Sequence, residues 1–187
     1  MLIAGVDEAG RGPIAGDVFA AAVILSQDQL IHGLDDSKKL SHKRRSELEL
    51  EIKQRAVAWN VEQVPVQVID EINILQASLL AMKNAVNGLG REIDLVRVDG
   101  CHAIEVDCPC EAIVRGDQLH EEIAAASILA KVARDRYMLE LAERFPGYGF
   151  DRHKGYPTVH HIQALHALGI TDFHRRSFGP VKSMVCQ

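Results

Sequence analysis

Residues 2–6, Leu-Ile-Ala-Gly-Val, form an apolar run that predicts a buried strand at the start of the chain. The run leads directly into Asp7 and Glu8 and then into the turn Gly10-Arg11-Gly12-Pro13. Side chains alternate faces along a strand, so two adjacent acids cannot share one face of a regular strand. The pattern therefore predicts that Asp7 ends the strand and Glu8 sits on the turn. Residues 17–25 are apolar and rich in alanine and β-branched side chains, which predicts a second strand in a hairpin with the first. Ser41 is placed to cap a charged helix to about residue 56, with Leu48, Ile52 and Ala56 inward. Residues 58–66 alternate as an edge-like strand does.

Over residues 70–87, Ile72, Leu75, Leu79, Met82 and Val86 fall on one helical stripe, with Gly88 behind them as a C-cap. That stripe reads as core. Residues 94–98 predict a short buried strand ending in Asp99-Gly100, and 111–114 another ending near Gly116-Asp117. A long helix is predicted over 121–145, and Thr158 is placed to cap one running to Leu168. The order β-β-α-β-α-β-β-α-α predicts an α/β fold, a mixed sheet with helices on its faces. At 187 residues the chain suits one domain, with residues 146–187 as a helical extension packed beside it.

Composition narrows the class. With 47% hydrophobic and 25% charged residues the chain resembles an ordinary globular protein, not a disordered or membrane one. No basic leader precedes the first apolar run, and Asp7 interrupts it, so a cytoplasmic location is expected. The four cysteines, Cys101, Cys108, Cys110 and Cys186, lack paired CxxC spacing. Free thiols are expected in preference to a zinc site built from Cys101, His102, Cys108 and Cys110. The net charge of −5 is unevenly spread. Residues 151–187 carry net +3, and Lys38, Lys39, Lys43, Arg44 and Arg45 form a second basic patch without acids. An acidic body with two basic patches suits an enzyme of nucleic acids, although a solvated basic surface has the same composition.

Three strand ends deliver acids next to glycine: Asp7 with Glu8, then Asp99, then Asp117. Carboxylates converging in a partly buried cleft repel, and protonation or a cation must relieve them. Oxygen-only ligands favour hard ions, Mg²⁺ or Mn²⁺, over zinc. Each acid also has a plainer reading. Asp99-Gly100 can be a turn, Asp117 a cap, Glu121 and Glu122 helix-dipole partners, and Asp135 one half of a surface ion pair. On the long helix Ser127, Lys131 and Arg134 recur as a polar stripe, introduced by three alanines that permit close approach.

Asp7-Glu8-Ala9-Gly10-Arg11-Gly12 resembles the signature of the ribonuclease HII family. Further segments match in order: Asp36-Ser37-Lys38-Lys39-Leu40, Val98-Asp99-Gly100, Gly116-Asp117, Ala125-Ala126-Ser127-Ile128, His153-Lys154-Gly155-Tyr156 and Arg175-Arg176-Ser177-Phe178-Gly179-Pro180. Together they span residues 7–180. The resemblance implies a ribonuclease H-like fold with a five-stranded mixed sheet. It implies a metal-dependent endoribonuclease acting on RNA–DNA hybrids and on ribonucleotides embedded in duplex DNA, as a monomer and without a membrane. Asp7, Glu8, Asp99 and Asp117 map to the family's metal-binding acids. Gly10, Arg11 and Gly12 map to the turn that reads the 2′-hydroxyl, the group separating RNA from DNA. Tyr156 maps to a tyrosine packed on the next sugar. Lys38, Lys39, Ser127 and Lys131 are the expected phosphate or active-site contacts. A non-cutting hybrid-binding module and another nuclease of the same fold are the competing readings, and neither explains the acids and the Gly-Arg-Gly turn together.

Overall fold

The computed structural model describes residues 1–185. Its first two strands, β1 (Ile3–Ala9) and β2 (Val18–Ile24), pair antiparallel with Gly5 opposite Val23 and Ala9 opposite Phe19. The third, β3 (Ala58–Val64), joins β2 antiparallel. On the other side of β1, β4 (Leu95–Asp99) and β5 (Cys110–Ile113) are added in parallel. The sheet is mixed and five-stranded, in the order β3-β2-β1-β4-β5. Because β1, β4 and β5 are parallel, their carboxyl ends reach the same edge of the sheet.

Helices α1 (His42–Arg55), α2 (Val66–Asn87) and α3 (Glu121–Arg144) cover its two faces. On one face Ala77, Ala81 and Ala85 of α2 pack against Ala4, Val6, Ala20, Ala22, Val96 and Val98. On the other, α1 and α3 bury Leu48, Ile52, Ala125, Ala126 and Leu129 over Ala21 and Val23. β2 is buried on both faces, which accounts for its nearly continuous apolar sequence. The small residues set the layer spacing. A Cβ added to Gly5 would lie 2.2 Å from the backbone carbonyl carbon of Glu122, so the first turn of α3 rests on the main chain of β1.

The expected extension beyond residue 145 is present. Three short helices, α4 (Phe150–His153), α5 (Val159–Leu168) and α6 (Gly179–Val185), form a third apolar cluster with Met138 and Leu141 of α3. Asp70 ties this extension to α2, its carboxylate accepting from the amides of Arg176 and Ser177, both at 2.9 Å, and from the Ser177 hydroxyl. Among the described residues no helix is long and apolar enough to cross a membrane.

Helix α2 departs from its predicted form. It starts four residues earlier and is broken at Asn73 (φ 69°, ψ 165°). The Asn73 side-chain oxygen accepts from the amides of Leu75 and Gln76, which makes it an N-cap inside an apparently continuous periodic run. Rotation at the break buries Ala77, Ala81, Met82 and Ala85, while Ile72, Leu75 and Leu79 of the predicted stripe are only half-buried. Ala56, expected inward, is the C-cap of α1. The two shortest helices and the 3-10 turn Gly116–Gln118 lack the length to show a period.

The Gly5 contact yields a stability prediction. Gly5→Ala should lower stability by about 3 kcal/mol, the upper end of overpacking costs. For a chain of this size that is a melting point lower by roughly 6–12 °C. An unchanged melt would mean that α3 can lift off β1 freely.

Candidate active site

The strand ends bring the acids together differently from the sequence expectation. Asp7 does not end β1 and Glu8 is not on the turn; both lie within the strand, Asp7 opposite Ala21 and Glu8 opposite Ala20. The antiparallel ladder with β2 holds the backbone extended through Ala9, past the last β4 pair at Val6 and Val98. Asp7 shares the face of Gly5, towards α3, and Glu8 shares the opposite face with Ala4 and Val6. Both still lie near Asp99, the last residue of the neighbouring strand β4 and just past the final β1–β4 pair. Burial, then the charges of Glu8 and Asp99, hold the Asp7 carboxyl well above its usual range. Glu8 is raised by burial and Asp99, against the pull of the Arg11 guanidinium 3.6 Å away. Asp117, in the turn after β5, is raised by burial and then by Asp99 and Asp36. Asp99 is thus the common neighbour, and its Oδ1 accepts from the Gly116 amide at 2.7 Å.

Asp7 is held from behind. The Ser127 hydroxyl of α3 faces its carboxylate and favours the charged form, while the Asp7 Oδ1 itself accepts from the Glu8 amide at 2.7 Å. Ser127 Oγ lies 2.9 Å from Ser37 Oγ, and the two hydroxyls are hydrogen-bonded to each other. Both serines are buried. Ser127 therefore faces an acid of the cluster from inside the fold. Asp36, which the sequence reading passed over, faces Asp117 together with Lys38. Its signal was present in the same Asp-Ser-Lys-Lys segment, where the lysines drew the attention.

The Gly10-Arg11-Gly12 turn is fixed by Arg175. The guanidinium is fully buried and donates to the carbonyls of Gly10, Arg11, Pro13 and Gly16 at 2.6–3.0 Å. The turn's carbonyls are thereby consumed inward, and the amides of Arg11 and Gly12 have no acceptor among the described residues. Gly10 adopts φ 104°, and a Cβ there would lie 2.1 Å from Arg134 Nε. The Tyr156 ring, 45% exposed, lies over Gly12, with Cε1 3.3 Å from where a Gly12 Cβ would be.

The remaining candidates are placed less simply. Lys38 and Lys39 are exposed, and Lys39 pairs with Asp35 at 3.1 Å. Lys131 is bound to Asp135 at 2.7 Å. Arg134 is not part of an exposed polar stripe; it is buried and donates to the carbonyls of Ala15, Asp17 and Lys154. Asp135 does pair with an arginine, Arg45 of α1 at 3.7 Å, but in the interior instead of at the surface. Glu122 pairs with Arg97 at 2.9 Å, away from the acid cluster. Cys101, Cys108 and Cys110 are free thiols, and Cys186 lies outside the described residues.

The donor set fits a hard divalent cation. It consists of oxygens alone, and three of its four carboxyls are destabilised as anions by burial and by one another. Among the described residues no three His, Cys, Asp or Glu side chains close into a ready cage. The acids line an open edge.

Comparison with known proteins shows the family. Residues 4–181 match the family model described as Ribonuclease HII. A protein named Ribonuclease HII from Nitrosomonas europaea is 59% identical over 181 residues, covering 96% of this chain and 83% of that protein. One of the same name from a Marinomonas species is 54% identical, covering 98% and 93%. Among solved structures, the ribonuclease H2 of Pyrococcus horikoshii superposes with a TM-score of 0.83 at 25% identity, covering 98% of this chain and 97% of that one. The Archaeoglobus fulgidus structure described as a PCNA:RNase HII complex gives 0.82 at 28%, covering 96% of each.

The charge balance at Asp7 makes two predictions. Asp7→Asn and Asp99→Asn should each lower cleavage by ~10²-fold or more while leaving substrate binding largely intact. Near-normal turnover with metal present would remove these acids from the site. In metal-free protein at neutral pH, Asp7→Asn should also melt higher than the unaltered chain, read by thermal denaturation in chelator. A carboxyl whose pKa is raised by folding costs stability above that raised value, and the cost fades as pH falls through it. The gain from Asp7→Asn should fade over the same interval.

Proposed function

The chain belongs to the ribonuclease HII family, and on that premise we propose that it cuts duplex DNA 5′ of an embedded ribonucleotide as well as the RNA of RNA–DNA hybrids. As a member of this family it is a metal-dependent endonuclease of the ribonuclease H type. The observation that carries the finer reading is the adjacency of two devices at one sheet edge. Asp7, Glu8, Asp99 and Asp117 gather beside a turn whose carbonyls point inward, leaving the Arg11 and Gly12 amides free.

In this reading the four acids hold two Mg²⁺ or Mn²⁺ ions. Ions bound there would activate the attacking water and stabilise the departing 3′-oxygen, giving 3′-hydroxyl and 5′-phosphate ends. The chain's own groups do the rest. Ser127, backed by Ser37, orients the Asp7 carboxylate. The free amides of Arg11 and Gly12 donate to the 2′-oxygen, which a deoxyribose lacks. The absence of a side chain at Gly10 and Gly12 lets the sugar approach the main chain. Lys38 and Lys39, with Lys131 nearer the interior, position the phosphates and carry affinity without sequence preference. Tyr156 lays its ring against the sugar that follows the ribonucleotide.

The direct test is to incubate duplex DNA containing one ribonucleotide with Mg²⁺, Mn²⁺ or chelator and to map the cut. Cleavage on the 5′ side, dependent on the ion, supports the reading; no cut, with a continuous hybrid still cleaved, overturns it. Tyr156→Ala should lower the rate on that DNA by roughly tenfold, from the ~1–3 kcal/mol typical of aromatic contacts to nucleic acid. The loss should be smaller on a continuous RNA strand, where the following sugar is ribose. Equal losses on both substrates in protein of unchanged melting point would make Tyr156 a packing residue.

A further inference from the structure

Beneath Tyr156 lies a hydrogen-bonded relay that the reaction described above does not use. His161 and His174 are both fully buried, with Nε2 atoms 3.1 Å apart. Two neutral imidazoles can bond this way only if one nitrogen carries the proton and the other is bare. The surroundings decide which. The Thr171 amide, which can only donate, points at His174 Nδ1 at 3.0 Å. His174 Nδ1 is therefore bare, and its proton sits on Nε2. That proton is donated to His161 Nε2, which forces the His161 proton onto Nδ1. His161 Nδ1–H then donates to the backbone carbonyl of Tyr156 at 2.8 Å.

The same unit grips Tyr156 from its other side. The Tyr156 amide donates to the His153 carbonyl at 2.9 Å, and the His153 ring stacks on His161 at 4.3 Å between centroids, 14° from parallel. Gly155, φ 84°, donates from its amide to His153 Nδ1 and passes so close to Ala15 that a Cβ would lie 2.5 Å from the Ala15 carbonyl oxygen. Phe150 meets the His161 ring edge-on at 5.5 Å. Burial pushes His161 and His174 down to about 4, so both are neutral and the relay stands throughout the neutral range.

We propose that His161, its tautomer imposed by Thr171 through His174, is a positioning residue for Tyr156. By fixing the carbonyl of an otherwise exposed residue it sets where the ring lies over Gly12, and so how well the enzyme engages the sugar after a lone ribonucleotide. The inference rests on the reading of Tyr156 as the sugar-contacting aromatic, and the test separates the two. Nitrogen-resolved NMR of the unaltered protein should show His161 protonated on Nδ1 and His174 on Nε2; a His161 proton on Nε2 overturns the proposal without any variant.

His161→Asn places an amide nitrogen where Nδ1 was, whereas His161→Gln places it near Nε2. H161N should keep its rate on DNA with one ribonucleotide. H161Q should lose roughly fivefold there, the equivalent of one hydrogen bond, and much less on a continuous hybrid. In a Tyr156→Ala background H161Q should cost nothing further, since both changes act through one ring. Equal losses on both substrates, or a cost that adds to that of Tyr156→Ala, overturn the inference while leaving Tyr156 its role. If Tyr156→Ala itself shows no preference between the substrates, the reading of Tyr156 fails and the inference with it. Should H161Q not fold, the tautomers in the unaltered protein still decide whether the bond exists.

Discussion

Two buried guanidiniums hold the segment between β1 and β2 in place, and the site depends on them. Arg175 and Arg134 together take the carbonyls of Gly10, Arg11, Pro13, Ala15, Gly16 and Asp17. A buried cation costs several kcal/mol unless acceptors surround it, so the chain around each arginine has little freedom to rearrange. Arg175 is pushed down to about 9 by burial and by the charge of Arg134, with Asp17 and Asp70 pulling against them. The five bonds from one planar fork fix several peptide orientations at once, which a lysine's point charge does not. Removal of the C-terminal extension would leave those carbonyls without their donor. The extension is therefore part of what holds the Gly10-Arg11-Gly12 turn in its shape.

Helix α3 relates that turn to the acids. Ser127, which faces Asp7, and Arg134, which holds the far side of the turn, are seven residues apart on one face, about 10 Å along the axis. A rigid helix beside both sets the distance between the acid cluster and the Gly10-Arg11-Gly12 turn. The close seat of α3 on Gly5 and the alanines at 124–126 remove slack from that ruler. Small residues at a helix–sheet contact thus serve precision as well as packing, because every added methyl would move Ser127 away from Asp7.

Much of this was legible in the sequence, and the failures share a cause. Apolar period gave the five strands, the three long helices and the C-terminal extension, because burial repeats over many residues. The acids next to glycine marked the sheet edge correctly. What the sequence hid is the direction of individual polar groups. In the sequence Arg134 falls with Ser127 and Lys131 on a polar stripe open to close approach by a phosphate or the active site, yet it points into backbone carbonyls that come from over a hundred residues away. The apolar stripe over residues 70–87 runs on past Asn73, yet Asn73 caps a second helix segment. Asp7 and Glu8 were separated because adjacent strand residues face opposite sides, whereas the antiparallel neighbour keeps both in the strand and Asp99 lies near each. Each error turns on the direction of a polar group or a strand partner, which apolar periodicity does not record.

The buried charges fall into two kinds, and the division locates the function. Arg134, Arg175, Glu49 and Asp135 have their partners within the chain: carbonyls for the arginines, Lys53 and Arg136 for Glu49, Lys131 and Arg45 for Asp135. Burial of these groups is offset on folding, so they hold the molecule together and are indifferent to what binds it. Asp7, Glu8 and Asp117 are different, since what surrounds them is mostly more negative charge, and Arg11 and Lys38 compensate only partly. A fold that tolerates such a cluster has left its neutralisation to something from outside. The same reasoning covers the unpartnered amides of Arg11 and Gly12 a short distance away. Carboxylates short of countercharge thus stand beside backbone amides that have no acceptor among the described residues, an edge that a group from outside would complete.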